Sequence, residues 1–206
     1  MRVAVVTGGS GGVGQAVVRR LEADGWAVVS WSRTGGIDAA DEMQVERAAA
    51  RLRRWDALVN NAAVLIPRLV TEMSADEWDE TLRAGLRSAF LCSRAALRRM
   101  RRGGTIVNVS SLSGVGGAEK FPRMAAYVAA KSGLAGLTEA LAVEGRPSGI
   151  RVNAVSPGSI ATPMLELSGA PKEPALRPDE VARVIAWLAG PESEPLSGAN
   201  LRLDPS

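Results

Sequence analysis

The chain contains no histidine, and this absence removes several kinds of active site. Its 206 residues also include only one cysteine, Cys92, and one tyrosine, Tyr127. Histidine general bases, Ser-His-Asp triads and histidine-ligated zinc are therefore excluded. A single cysteine forms neither an intrachain disulfide nor a cysteine metal cluster, and it favours a reducing, cytoplasmic compartment. Proton transfer has to use tyrosine, lysine, serine or a carboxylate, and no metal site is predicted.

Long apolar runs and aromatic residues are also scarce. No stretch approaches the roughly 18 uninterrupted apolar residues of a membrane helix, and the first apolar run is too short for a signal peptide. With 4% aromatic residues the chain lacks the material for a surface that stacks nucleic-acid bases. The net charge of +3 is modest, and its arginines lie largely on predicted helices, which favours solvated helix faces. We expect a small-molecule substrate, with neither nucleic acid nor membrane as a partner.

Short β-branched stretches alternate with longer segments rich in alanine, arginine and leucine. The pattern predicts strands at residues 3–7, 27–31, 57–60, 105–110, 151–155 and 199–203. Helices are predicted at residues 12–24, 41–53, 74–102, 125–144 and 179–188, with Asp41 as an N-cap and capping-box spacing from Ser74 to Glu77. Residues 168–178 are expected to form a surface loop. The alternation predicts one α/β domain over residues 1–206, a doubly wound, mostly parallel sheet of the Rossmann type.

A glycine-rich segment separates the first predicted strand from the first helix. Glycines allow the backbone to approach a pyrophosphate, and the helix N-terminus then offers free amides to its charge. The spacing therefore predicts a dinucleotide phosphate loop rather than an empty glycine turn. Its candidate binding residues are Gly8, Ser10, Gly11, Gly12, Val13 and Gly14.

The end of the second predicted strand bears on the choice of nicotinamide cofactor. Ser32 stands where NAD-binding domains place an acid for the ribose 2′-hydroxyl, so no carboxylate there repels a 2′-phosphate. Arg33 follows, and its guanidinium can pair with a phosphate in bidentate fashion. The pattern predicts NADP(H), with a solvated loop arginine as the alternative.

Tyr127 and Lys131 are four residues apart on a predicted helix and therefore share a face. A lysine charge beside a phenol favours the phenolate, so we expect Lys131 to lower the pKa of Tyr127 and tune it as an acid and base. Ser111 follows a buried-strand pattern, at the strand end that faces the ligand crevice of an α/β sheet, although such a serine also serves as a cap or turn residue.

Together these segments resemble the short-chain dehydrogenase/reductase superfamily, and in particular its 3-oxoacyl-carrier-protein reductases and carbonyl reductases. The matching segments run through almost the whole chain in order. They are Thr7-Gly8 with Gly12-Val13-Gly14, Asp38, Asn60-Asn61-Ala62-Ala63, Val109-Ser110-Ser111, Tyr127 with Lys131, and Asn153 to Gly158 with Thr162.

The resemblance implies a role for each matching residue. Ser111 would position the substrate carbonyl, Tyr127 would be the acid and base, and Lys131 would bind the nicotinamide ribose. Asp38 would contact adenine and Asn61, with its neighbours, the adenine-side ribose. The remaining cofactor contacts implied are Ala62, Ala63, Pro157, Gly158, Ile160 and Thr162. The implied activity is hydride transfer between NADP(H) and a carbonyl or secondary alcohol, such as a 3-oxoacyl thioester, a small ketone or a sugar alcohol.

The chain departs from the family at several points. Gly85 stands where members carry an asparagine that holds a water of the proton relay, so we expect slower turnover. The stretch from Arg33 to Asp38 lacks most of a crossover helix and strand, and the segment 162–178 is too short for the usual substrate lid. A cofactor-binding regulatory or scaffold protein with weak or no turnover is therefore the alternative reading.

Two further expectations concern the surface. An insertion carrying Glu119, Lys120 and Arg123 either recognises an anionic substrate group or is a solvated loop. The two long predicted helices carry the faces through which the family forms a homodimer or homotetramer. The small and apolar residues of that stripe are Ala129, Ala130, Gly133, Leu134, Gly136 and Leu137, and the alternative is that they pack only on their own sheet.

Overall fold

A six-stranded sheet forms the centre of the computed structural model, which describes residues 1–169 and 173–204. All paired strands are parallel, in the order β2-β1-β3-β4-β5-β6. The strands are β1 (Val3–Thr7), β2 (Ala27–Trp31), β3 (Ala57–Asn60), β4 (Thr105–Val109), β5 (Arg151–Pro157) and β6 (Asn200–Leu203). The predicted doubly wound parallel sheet is confirmed.

Helices cover both faces of this sheet. They are α1 (Gly12–Ala23), α2 (Glu42–Ala50), α3 (Ala75–Leu82), α4 (Ser88–Arg99), α5 (Ala125–Gly145), α6 (Pro163–Ser168) and α7 (Pro178–Ala189). Helices α1 and α7 pack with Val6 and Val59 on one face, while α2, α4 and α5 pack with Val5 and Leu58 on the other. Successive strand residues point to opposite faces of the sheet, and both faces are covered by helices. The strand sequences are therefore apolar at nearly every position.

The strand order reverses between β1 and β3, and this reversal fixes where a ligand binds. Chain connections leave β1 and β3 toward opposite sides, so the carboxyl ends of the two strands border an open crevice. The glycine loop follows β1 directly, and Asn61 follows β3. The sheet topology thus brings together two segments that lie about fifty residues apart in the sequence.

The helix predicted over residues 74–102 is interrupted. It begins as predicted, since Ser74 Oγ accepts a hydrogen bond from the Glu77 amide at 3.2 Å and Glu77 Oε2 accepts one from the Ser74 amide at 3.0 Å. A π-helical turn over Arg83–Arg87 then separates α3 from α4, with Gly85 at its centre. Such turns insert one residue into a helix and are frequent at functional sites. The prediction of one continuous helix was wrong because propensity does not reveal this insertion.

Other boundaries shift where tertiary pairing decides them. Strand β5 continues to Pro157 because Ser156 and Pro157 pair with Arg202 and Leu203 of β6. Helix α2 ends at Ala50, earlier than predicted, as the chain turns toward β3. Helix α6 was not predicted. It occupies part of the shortened lid region, and residues 170–172 of the predicted loop lie outside the described residues.

The shortened crossover is confirmed. Only the 3₁₀ turn Arg33–Gly35 and helix α2 connect β2 to β3, so β2 is an edge strand of the sheet. Within residues 1–169 and 173–204, no helix has the length and hydropathy to cross a bilayer. The same described residues contain no cluster of three or more metal-ligating side chains.

Candidate active site

The glycine loop after β1 is shaped by close backbone contacts. Gly8 and Gly12 have φ angles of +67° and +51°, a conformation that residues with a side chain rarely adopt. A Cβ atom on Gly14 would lie 2.2 Å from the Gly8 carbonyl oxygen, so this glycine lets α1 pack directly on the loop. Gly14 therefore acts through packing and does not line the crevice, unlike the other predicted loop residues.

Side chains of β1 and the segment after β3 hold this loop in place. Thr7 Oγ1 accepts hydrogen bonds from the amides of Asn61 and Ala62 at 3.0 and 3.1 Å. The Asn61 side-chain amide donates in turn to the carbonyls of Thr7 and Gly8, both at 3.2 Å. Asn61 thus joins the two sides of the crevice, a contact that its sequence position alone did not reveal.

A cavity of about 470 Å³ runs along the crevice from the glycine loop to α5. Among its lining residues are the predicted Gly8, Ser10, Gly11, Gly12, Val13, Ser32, Arg33, Asp38, Asn61, Ala62, Ala63, Tyr127, Lys131, Ile160 and Thr162. Sequence reasoning missed further lining residues, including Trp31, Glu80 and Arg83. A glycine cradle at a helix N-terminus, with cationic groups at one end and Lys131 at the other, fits an extended dinucleotide.

Helix α5 is fixed against the end of β4 by hydrogen bonds around Lys131. Lys131 Nζ donates to the Val109 carbonyl at 2.7 Å, and the Lys131 carbonyl accepts from Ser110 Oγ at 3.0 Å. The next residue along α5, Ser132, donates from its Oγ to the Gly114 carbonyl at 3.1 Å. These contacts fix the position of Tyr127 relative to the carboxyl ends of the strands.

A buried network of polar side chains also fixes α5 relative to the sheet. Asn60 of β3 donates to Asn108 Oδ1 of β4 at 2.8 Å and to Ser93 Oγ of α4 at 2.9 Å. Asn108 donates to Thr138 Oγ1 of α5 at 2.9 Å. Because unsatisfied buried polar groups are costly, such a network favours one relative placement of the two strands and two helices.

Ser111, Tyr127 and Lys131 come together at the carboxyl edge of the sheet. Burial raises the pKa of Tyr127 to about 12, and a hydrogen bond with Ser111 opposes this rise. Burial lowers the pKa of Lys131 to about 8. Lys131 Nζ lies 5.5 Å from the centre of the Tyr127 ring. The expectation that Lys131 lowers the pKa of Tyr127 is not met, because desolvation is the largest influence on the phenol and raises its pKa.

A second cavity, of about 670 Å³, lies on the other side of Tyr127. Its lining includes the predicted Ser111, Pro157 and Gly158 and a mainly apolar group, Leu65, Leu112, Phe121, Met124, Met164 and Leu165. Both cavities are lined by Ser110, Tyr127, Ile160, Thr162 and Met164. They therefore meet at Tyr127, which faces a dinucleotide-sized groove and a substrate-sized chamber at once.

Lys120 and Arg123 do not line this second cavity. Lys120 Nζ donates to the carbonyls of Val115 and Ala118 at 2.7 and 3.0 Å, and Arg123 donates to the Pro67 carbonyl at 3.1 Å. Both cations stabilise their own loops, so the hypothesis that they recognise an anionic substrate group is not supported. The charged lining residues are instead Glu119, Glu173, Arg202 and Asp204.

Gly85 is buried at the centre of the π-helical turn, beside α5. A Cβ atom built on it would lie 3.4 Å from the Cβ of Ala130, with no other heavy atom within 4 Å. A side chain at this position would therefore meet α5 at an ordinary van der Waals distance. The slower turnover expected from the missing asparagine stays a prediction.

Gly114 lies where the 3₁₀ turn after Ser111 touches α5, and it offers a test of this packing. A Cβ there would lie 2.5 Å from the Lys131 carbonyl carbon and 2.7 Å from its oxygen, both rigid backbone atoms. We expect Gly114→Ala to lower the free energy of unfolding by roughly 1–3 kcal/mol, as overpacking does. Urea denaturation measures this effect. Gly116→Ala is the matched control, because a Cβ at Gly116 meets no atom within 4 Å; equal stability of both variants would contradict the close contact.

The sequence is similar to known reductases and dehydrogenases over almost its whole length. A family model described as enoyl-(acyl carrier protein) reductase matches residues 36–205. The acetoacetyl-CoA reductase of Allochromatium vinosum is 36% identical over 97% of this chain and 96% of its own length. The meso-2,3-butanediol dehydrogenase of Serratia marcescens is 33% identical over 98% and 93%. These relatives are named for reactions at carbonyl or alcohol groups.

Solved structures agree with the sequence relatives. The aldohexose dehydrogenase of Thermoplasma acidophilum superposes with a TM-score of 0.88 at 27% identity, covering 98% of this chain and 92% of its own. A short-chain dehydrogenase/reductase from Serratia marcescens gives 0.88 at 32% identity, covering 98% and 96%. The similarity therefore extends over the full fold, including both sides of the crevice.

Proposed function

The chain belongs to the short-chain dehydrogenase/reductase superfamily, and on that premise we propose that it is an NADP(H)-dependent oxidoreductase of carbonyl and secondary-alcohol groups. One observation carries the proposal: Ser111, Tyr127 and Lys131 converge where the two cavities meet. The alternative of a cofactor-binding protein without turnover is disfavoured, because all three groups are present and each lines at least one of the two cavities.

The residues of the chain divide the work of the reaction. A bound nicotinamide supplies or accepts the hydride. Ser111 would orient the substrate oxygen, and Tyr127 would donate a proton to that oxygen during reduction or remove one during oxidation. The positive charge of Lys131 would favour the phenolate that remains after proton donation. The apolar walls of the second cavity would exclude water from the reacting carbon.

The protonated phenol of Tyr127 suits its role as the proton donor in carbonyl reduction. Burial raises the pKa of its phenol to about 12, so the proton to be donated is present throughout the neutral range. Alcohol oxidation needs the phenolate and would require the charge of Lys131 and the cofactor to lower that pKa.

Steady-state oxidation of NADPH against a panel of ketones, sugars and 3-oxoacyl thioesters tests the proposed activity. We expect NADPH consumption above the substrate-free rate with at least one member of the panel. Tight NADPH binding without consumption for any member would instead favour the regulatory alternative.

The cofactor preference has its own test at Arg33. In wild type we expect kcat/KM to be higher with NADPH than with NADH. Arg33→Ala should lower the NADPH value by about tenfold, the size of one hydrogen bond to a charged group, and leave the NADH value nearly unchanged. Arg19→Ala, an exposed arginine of α1 away from this cavity, is the control. A wild-type preference for NADH would contradict the NADP(H) assignment.

We further propose that the enzyme assembles as a homodimer or homotetramer through α4 and α5. The inner part of the predicted stripe packs within its own domain, since Ala130 and Leu134 are buried there. The outer surface of these helices nevertheless exposes Phe90 of α4 and Val143 of α5, 44% and 63% accessible. Gly136 of α5 also faces open space. Light scattering at micromolar concentration distinguishes this assembly from a monomer.

A further inference from the structure

Four charged side chains at one end of the dinucleotide cavity form a connected cluster. Arg33 Nη1 lies 3.3 Å from Glu80 Oε1, and Arg83 Nε lies 2.7 Å from Glu80 Oε2. Arg83 Nη1 also lies 2.9 Å from Asp38 Oδ2. All four line the cavity. They come from two segments, Arg33 with Asp38 and Glu80 with Arg83, that lie more than forty residues apart in the sequence.

Glu80 holds its two carboxylate oxygens against two different guanidinium groups. Guanidinium groups recognise the oxygens of carboxylates and phosphates by the same geometry. A carboxylate held in this way marks a point where the protein favours an oxyanion. That point adjoins Ser32 and Arg33, the position at the end of β2 where the 2′-substituent of an adenine-side ribose lies in this type of fold.

The two arginines differ in how firmly they are held. The Arg83 side chain is 36% exposed and is fixed by two ion pairs, one to Glu80 and one to Asp38. The Arg33 side chain is 63% exposed and has a single, longer ion pair. Arg83 is therefore the fixed half of the site, while Arg33 can follow an incoming anion.

We propose that Arg83 is a second ligand of the cofactor 2′-phosphate, and that Glu80 is a built-in competitor whose carboxylate occupies the phosphate position between Arg33 and Arg83 until the cofactor displaces it. This inference rests on the proposed NADP(H) function. A 2′-phosphate carries up to two negative charges and outcompetes one carboxylate, but it has to displace a tethered acid. Glu80 therefore weakens NADP(H) binding and reduces the discrimination against NAD(H).

A different role for Glu80 makes the opposite prediction. A carboxylate near an adenine-side ribose can accept a hydrogen bond from the 2′-hydroxyl, as in NAD-binding domains. In that case Glu80 would strengthen the binding of nucleotides without a 2′-phosphate. Removing its charge then distinguishes a competitor of the phosphate from a ligand of the hydroxyl.

Calorimetric titration with adenosine 2′,5′-bisphosphate and with 5′-AMP, at fixed ionic strength, tests the proposal. Glu80→Gln should lower the Kd for the bisphosphate by about tenfold, because one negative charge next to the phosphate is lost. The Kd for 5′-AMP should not change. Arg83→Met should weaken the bisphosphate by about tenfold relative to 5′-AMP, and Arg83→Lys should restore part of that loss. Asp79→Asn and Arg87→Met remove the same charges at exposed positions of the same segment and should change neither affinity.

Two results would overturn the inference. One is an unchanged ratio of bisphosphate to 5′-AMP affinity in Glu80→Gln, and the other is weaker 5′-AMP binding in that variant. Because these fragments bind without turnover, an inactive enzyme leaves the test intact. A wild type that prefers NADH while Glu80→Gln gains bisphosphate affinity would refute the NADP(H) preference and uphold the role of Glu80.

Discussion

Tyr127→Phe is expected to lower kcat for carbonyl reduction by about a thousandfold, within the range for loss of a general acid, with almost no change in the Kd for NADPH. The substitution removes one oxygen atom from the point where the two cavities meet and leaves the ring in place. Proton donation from a phenol to the substrate oxygen is then lost, because the chain has no other tyrosine.

Single-turnover and steady-state kinetics, together with NADPH binding by fluorescence, measure this effect. Ser111→Ala, which removes the hydroxyl that hydrogen-bonds the phenol, should show a smaller loss of kcat. If Tyr127→Phe retained its turnover, another group would have to be the proton donor. The proposed mechanism, in which Tyr127 has that role, would then be wrong.

Lys131→Met is expected to abolish turnover and, at pH 7, to stabilise the protein by about 2 kcal/mol. Burial lowers the pKa of Lys131 from 10.5 in the unfolded chain to about 8, so at pH 7 the folded state carries a buried charge that costs about 3 kcal/mol. Loss of the hydrogen bond from Nζ to the Val109 carbonyl offsets about 1 kcal/mol of the gain.

The difference in stability between Lys131→Met and wild type should depend on pH. Between pH 8 and pH 10.5 the unfolded chain binds a proton on Lys131 that the folded protein does not, so the free energy of unfolding of wild type rises with pH. The free energy of unfolding of Lys131→Met lacks this rise. The variant should therefore no longer be more stable than wild type near pH 10. Above that pH the raised pKa of Tyr127 acts in the opposite direction, so urea denaturation at pH 7 and pH 10 is the cleanest comparison.

Lys120→Met serves as the matched control, because it removes an exposed ammonium from a loop. Its stability should follow the same pH dependence as that of wild type. A destabilised Lys131→Met at pH 7 would show that the ammonium is compensated by contacts beyond Val109.

Local patterns predicted the six strands and most of the helices, but neither α6 nor the π-helical turn, and they did not predict long-range contacts. Asp41 and Ser74 cap helices as expected, since capping depends on residues three positions apart. The contact between Arg33 and Glu80 joins segments 47 residues apart, and spacing carries no signal for it. The direction of the Tyr127 pKa was also missed, because burial at the junction of two cavities is a property of the assembled fold.

The sheet ends at β2 because the crossover after it is short, and this has a consequence for behaviour at high concentration. The outward amides and carbonyls of β2 have no strand partner within the described residues, and the strand Ala27–Trp31 carries no charge or proline to deter one. Its length of five residues limits how much another chain gains by annealing to it. Association of the purified protein at high concentration is therefore expected to involve this short edge of the sheet.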